Sequence, residues 1–287
     1  MKKITAINKA IQDAIKTVED NAKRPLQEPD YIAAMAIELP RLVNAGGAFP
    51  GVKFGGCFIH QSPKVTFEGK YANPSICELG DLLVLCHDVV DGDDRYNAAL
   101  IQWKKTNSGV EYIIGSALKQ LDLYEHWPLL EINSCGCQFD ILPKAVTPGA
   151  QYGLIQPGTP TSLFCTIPSM TLKTTDSPSF ARFIINMMKW QTGRPVVLNK
   201  RQCAMDSWSE LILHLLILLR ERHFRRSNIY PDVQPRAPKD ILQMLTSSRS
   251  ENGDEIVITS REEEDEGCVS VMYIDMANGR EAEYYRQ

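Results

Sequence analysis

The first 45 residues carry apolar positions at helical spacing. Ile4, Ile7, Ile11 and Ile15 recur every three or four residues and predict one helix. Pro25 breaks it, and Pro29 opens a second helix from Asp30 to about Asn44, with Ala33, Ala34, Met35, Ile37 and Leu42 among its apolar positions. Glu38 lies inside that helix, and the Gly46-Gly47 pair ends it. From Gly51 the period shortens to that of strands, expected over 51–60, 63–68, 79–88, 97–105 and 110–114, with Pro, Gly and Asn/Asp clusters between them. Residues 82–86 and 98–101 are continuously apolar, as central strands covered on both faces are. The Asp91-Gly92-Asp93-Asp94 cluster lacks the spacing of a calcium loop and fits a hairpin turn. A helix is expected over 115–127.

Further along, short strands are expected near 151–156 and 162–168. Ser177-Pro178 supplies an N-cap and a proline at the first helical position for a helix running to about Trp190. Ser207 to Glu210 fits a capping box ahead of a nearly all-apolar stretch, 211–219, which predicts a buried helix. Its basic end, Arg220 to Arg226, suits a helix C-terminus. A Pro-rich stretch, a short helix at 239–246 and a hairpin with arms at 255–259 and 268–274 follow. Between those arms, the acidic run Glu262 to Glu266 is expected to be a solvated loop.

At 287 residues and 44% hydrophobic content the chain can bury a large core. It has no stretch of about 20 apolar residues, and its basic N-terminus is not followed by an apolar segment. Neither a membrane span nor a secretory signal is therefore expected, and the expected address is cytoplasmic. The net charge of −4 is unevenly spread: residues 251–287 hold 11 of the 35 acidic and 3 of the 31 basic residues, leaving 24 acidic and 28 basic before them. A mildly basic body is compatible with a phosphate backbone as partner. The eight cysteines, at 57, 77, 86, 135, 137, 165, 203 and 268, show no CxxC pair and read as buried thiols in a reducing compartment. Cys135 and Cys137 form a CxC, too little for a zinc site without a second ligand pair. No metal is assigned to them from sequence.

Two of the apolar strands carry polar residues where a core strand would not. One starts Cys77-Glu78-Leu79-Gly80-Asp81, and the other ends Gln102-Trp103-Lys104-Lys105. Alternate side chains share a strand face, so Gln102 and Lys104 project together, and Asp81 joins them if the strands are neighbours. A carboxylate, an amide oxygen and an ammonium at the edge of an apolar sheet are costly to desolvate without a partner. A divalent cation with a phosphate removes that imbalance. Asp81, the Gln102 carboxamide and a further carboxylate supply the hard oxygens that Mg²⁺ or Mn²⁺ takes. Lys104 is then left to hold or help deprotonate a water and to offset developing charge on phosphoryl oxygens.

Glu78-Leu79-Gly80-Asp81 opening one apolar strand and Gln102-Trp103-Lys104 closing the next resemble the PD-(D/E)xK nuclease superfamily, in a QxK variant. Gln120-Leu121-Asp122-Leu123-Tyr124 resembles the QxxxY helix of its exonuclease-like members; four apart, Gln120 and Tyr124 share a helix face. The resemblance spans about residues 30–128 and extends to no known family beyond them. It implies a restriction-endonuclease-like α/β fold: a mixed central sheet flanked by helices, with a mostly helical accessory region and a C-terminal hairpin. The corresponding parts are a nuclease core over 1–130, an accessory α/β region over 131–250 and an acidic hairpin over 251–287. It implies a metal-dependent deoxyribonuclease with Glu38, Asp81 and Gln102 as metal ligands, Lys104 as catalytic lysine, and Gln120 and Tyr124 orienting the site. DNA is the implied partner. By analogy such a stand-alone nuclease suggests a bacterial anti-phage effector restrained by a regulatory protein or by self-association. The alternative is a catalytically weak nuclease-fold subunit of a larger complex. Other readings remain: Asp81 as a strand cap, Gln102 and Lys104 as an exposed strand end, Glu38, Gln120 and Tyr124 as ordinary helix residues. If Gly80 breaks the strand phase, Glu78 is a ligand beside or instead of Asp81.

Overall fold

The computed structural model describes residues 2–59, 63–198, 205–221 and 268–277. Helix α1 (Lys2–Asn21) carries the isoleucine stripe. After it come α2 (Glu28–Ala33), a π-helical turn (Ala34–Glu38) and α3 (Leu39–Ala45), which together replace the single second helix expected. Strand β1 (Lys53–Cys57) and the pair β2 (Lys64–Phe67) and β3 (Ser75–Glu78) precede the two longest strands, β4 (Leu82–Val90) and β5 (Asp93–Lys105). Asp91 and Gly92 join these two with φ of 56° and 87°, the left-handed pair that a two-residue hairpin turn requires.

The second half holds β6 (Val110–Tyr112), α4 (Ala117–His126), β7 (Leu130–Ile132), β8 (Cys137–Phe139), β9 (Ala150–Gln156), β10 (Ser162–Thr166) and β11 (Thr171–Lys173). It continues with α5 (Phe180–Met188), β12 (Arg194–Val196), α6 (Ser207–Glu221) and β13 (Ser270–Asp275). The region expected to be mostly helical thus contains β8 to β12 beside α5 and α6. Three of those strands are three residues long, too short for alternation to reveal them. The helix caps also differ: Ser179, not Ser177, accepts the Arg182 amide at the start of α5, and Asp206 accepts the Ser209 amide at the start of α6. The short helix at 239–246, the hairpin arm at 255–259 and the acidic run at 262–266 lie outside the described residues. The stretch expected as the second hairpin arm forms β13, but its two edges are taken by β1 and β4, so it is an inner strand of the central sheet and not one arm of a hairpin.

The central sheet runs β1-β13-β4-β5-β9-β10, with β12 beside the first half of β5. It is mixed: β4 and β5 are antiparallel from Leu82↔Ile101 to Val90↔Asp93, whereas β13 lies parallel to β4 and β9 parallel to β5. Helix α4 lies within the crossover from β5 to β9. Both faces are covered, which explains the unbroken apolar runs. Leu82, Val84, Cys86, Ala99, Ile101 and Trp103 face a core shared with α1, the α2–α3 segment and α5. Leu83, Leu85, Ala98 and Leu100 face a second core with α4, α6 and the small sheet β3-β2-β7-β8. The fold is a mixed α/β arrangement of a mixed sheet flanked by helices. Among the described residues no helix is long and apolar enough to cross a membrane.

Near the β4–β5 turn, His87 lies stacked on Tyr96 and within 6.4 Å of Tyr273, and its ring nitrogens meet Asp275 at 3.2 Å and Asp94 at 2.8 Å. Burial disfavours the charged ring, but the two carboxylates together outweigh it and raise the His87 pKa above its ordinary value. The Asp275 carboxyl, despite burial, is held below the usual range by His87, the Ala277 amide and Lys53. The His87 contribution is fully present below the unfolded histidine pKa and is lost as pH rises through the raised folded value; that of Asp275 is lost as pH falls through its depressed one. The stability advantage of the native protein over His87→Phe, which keeps a ring in the stack, should therefore shrink in thermal melts as pH rises above the ordinary histidine value of 6.5. A difference that stays constant as pH rises would refute the assignment.

Candidate functional site

Past Ile101, β5 runs beyond the start of β4. The Asp81 amide donates to the Ile101 carbonyl at 2.9 Å, and the next inward-facing amide of β5, that of Trp103, donates to Asp81 Oδ2 at 2.7 Å. The Asp81 side chain thereby continues a ladder that the β4 backbone no longer supplies. Its carboxyl is enclosed although the residue as a whole is half-buried. Burial raises its pKa from 3.8 to about 7. The Trp103 amide and the Lys104 ammonium oppose that rise, while the charges of Glu78 and Glu28 add to it.

Helix α4 fixes the bend that leads into Asp81. The Gln120 Nε2 group donates to the Glu78 carbonyl at 2.9 Å and also to Gln102 Oε1. Because a carbonyl can only accept, the first bond sets the orientation of the Gln120 amide and obliges Gln102 to present its oxygen. One helical turn on, the fully buried Tyr124 hydroxyl donates to the Leu79 carbonyl at 2.6 Å. A β-carbon at residue 80 would lie 2.9 Å from that hydroxyl, so glycine at this position lets the tyrosine close on the bend. Glu78 ends β3 in the small sheet while Asp81 opens the approach to β4 in the central one, so the two do not share one strand phase.

Asp81, Gln102, Lys104, Gln120 and Tyr124 therefore meet at one end of the central sheet. Glu38 is not brought to them: it is buried in the π-helical turn and accepts from Arg41 Nε at 2.9 Å and Nη2 at 2.6 Å. It is also not among the charges that set the Asp81 titration. The helical glutamate nearest in effect is Glu28, at the first residue of α2, whose Oε1 accepts the Lys105 amide at 2.8 Å. Glu111, in β6, belongs to the same field: burial raises its pKa, Lys104 lowers it and Glu28 raises it. Sequence reasoning missed both residues. The Glu28-Pro29 pair, an acid at a helix start, was the available signal for the first; nothing local distinguished the second.

The donors at this end, Asp81, Glu28, Glu78, Glu111 and the Gln102 oxygen, are hard oxygens suited to Mg²⁺ or Mn²⁺, ions that need only one or two carboxylates beside water. Among the described residues, three His, Cys, Asp or Glu ligand atoms come within 4.8 Å of one another at a different place, Cys135, Cys137 and His214. No protein family, no curated protein and no solved structure matches the chain.

Two outcomes are expected of this geometry. An Asp pKa raised from 3.8 to about 7 means that the folded state binds the proton more tightly, so this group costs stability progressively as pH rises between those values. In EDTA, Asp81→Asn should then gain melting temperature over the native protein as pH rises towards about 7, with the two converging near pH 4; parallel pH profiles would contradict it. Tyr124→Phe, which leaves the buried Leu79 carbonyl without its donor, should cost about 1–3 kcal/mol in urea unfolding.

Proposed function

We propose that this chain is a metal-dependent nuclease of the restriction-endonuclease-like kind, hydrolysing phosphodiester bonds of DNA. The observation that carries the proposal is the enclosed Asp81 carboxyl at the common end of β4 and β5, set against Lys104 and surrounded by the charges of Glu28 and Glu78. The element order supports it: a helical segment, antiparallel strands, then a helix crossing to a strand parallel to the lysine-bearing one.

The residues fit a hard divalent cation. Burial and the charges of Glu78 and Glu28 hold the Asp81 carboxyl uncharged up to about pH 7 against the Trp103 amide and Lys104, so added positive charge would favour its ionised form. Asp81, with Glu28 or Glu78 and the Gln102 oxygen, would hold Mg²⁺ or Mn²⁺. Such an ion, once bound, polarises a phosphoryl oxygen and lowers the pKa of a water. The chain's own work is positional and electrostatic. Gln120 and Tyr124 pin the carbonyls of Glu78 and Leu79 and so set the direction of Asp81. Lys104 supplies a fixed positive charge that orients the attacking water and offsets charge on the phosphate as it develops.

One observation favours a second reading, a catalytically weak nuclease-fold subunit. The Gln102 oxygen already accepts from Gln120, and a neutral amide so engaged is a poor substitute for the carboxylate usual at that position. Cleavage of supercoiled and linear DNA by purified protein, with Mg²⁺, Mn²⁺ or EDTA, separates the two. The nuclease should cut only with a divalent cation and lose roughly 10²-fold or more of its rate in Asp81→Ala and Lys104→Ala. Full activity in Lys104→Ala would remove the mechanism. Absence of cutting, together with a melting temperature indifferent to Mg²⁺ and Mn²⁺, would assign the subunit reading.

A further inference from the structure

The hairpin β7–β8 turns through Asn133, Ser134, Cys135 and Gly136, with Ile132 opposite Cys137. The amides of Cys135 and Gly136 both donate to the Ile132 carbonyl, and Gly136 takes a φ of 67°, so the turn is tight and its glycine adopts a conformation costly for other residues. That shape brings the Cys137 amide to the Cys135 sulfur at 3.3 Å, so the sulfur accepts a backbone N–H. Helix α6 lies over this turn. It buries Trp208, Leu211, Ile212, Leu215 and Leu216, and in the midst of these stands His214, 7% exposed. Its Nε2 is 3.3 Å from the Cys135 sulfur, and the Cys135, Cys137 and His214 donor atoms all lie within 4.8 Å of one another.

We propose that Cys135, Cys137 and His214 form a zinc site that staples the β7–β8 hairpin to α6. An imidazole placed in an otherwise apolar helix face is costly unless it is partnered. A tetrahedral Zn²⁺ with bonds of about 2.3 Å to sulfur and about 2.05 Å to nitrogen separates such a pair by about 3.6 Å, within a few tenths of an ångström of the distance here. Two sulfurs and one imidazole select Zn²⁺ over Mg²⁺ or Ca²⁺, which take oxygen. The fourth position falls to a solvent molecule. Each cysteine thiol gives its proton to solvent on ligation, no electron is transferred, and binding tightens as pH rises. This site is chemically separate from the oxygen-rich one at Asp81.

The test uses the full chain, stripped with chelator under reducing conditions and titrated with Co²⁺. The staple predicts thiolate-to-cobalt charge-transfer absorption and tetrahedral ligand-field bands that saturate at one ion per chain and are displaced by Zn²⁺. They should persist in Asp81→Ala and vanish in Cys135→Ser/Cys137→Ser and in His214→Gln. Zn²⁺ should also raise the melting temperature of the native protein by several degrees, an increase lost in those variants. A native chain that yields only the weak spectrum of octahedral Co²⁺ would overturn the proposal without any variant being needed. So would undiminished tetrahedral binding in the cysteine and histidine variants.

Discussion

Strand β5 is hydrogen-bonded along both edges, and where β4 ends the Asp81 side chain takes over the next amide. Everything at the candidate site hangs on this substitution of a side chain for a strand. An asparagine or a backbone carbonyl would satisfy the Trp103 amide at less cost, because neither must give up hydration of a charge. The carboxyl is an expensive cap, and its burial raises its pKa to about 7. The expense becomes intelligible if a cation completes the site. α4 bears on the same point from the other side: its Gln120 and Tyr124 hold two successive carbonyls of the bend, so Asp81 is aimed by groups that themselves carry no charge.

Much of this arrangement was legible in the sequence for identifiable reasons. β4 and β5 announced themselves as unbroken apolar runs because both faces of the sheet are covered. Gln120 and Tyr124 lie four apart on one helix, and Gln102 and Lys104 alternate on one strand, so each pair could be placed by local periodicity. What escaped was non-local or too short. Glu28 reaches the site because α2 starts against the end of β5, 77 residues away in sequence, and no local pattern ranks it above Glu38. Strand β3 has one fully buried residue in four, and three-residue strands have no period to detect. The Cys135–His214 contact spans 79 residues and depends on how α6 lies on the hairpin.

The two proposed metal environments differ in hardness, and that difference keeps them apart. Oxygen donors around Asp81 suit hard ions such as Mg²⁺ or Mn²⁺, whereas two sulfurs and an imidazole at the hairpin suit a borderline-soft ion such as Zn²⁺. The first is where the proposed phosphodiester chemistry would take place. The second suits holding a helix in place, and α6 contributes to the same core that lies under α4.

β13 lies between β1 and β4, yet Asp275 is separated from its partner His87 by 188 residues. During synthesis at about 5–20 residues per second, β4 therefore leaves the ribosome with one edge open for roughly 10 to 40 s before the strand that covers it exists. Until then β1 has no neighbour in the described sheet and β4 offers its backbone to any passing strand. The nascent chain is at its most vulnerable to misassociation in that interval, and a ribosome that stalls short of residue 270 would release a sheet split into two parts. Molecular chaperones that shield exposed strand edges would find in this topology a longer-lived client than its size alone suggests.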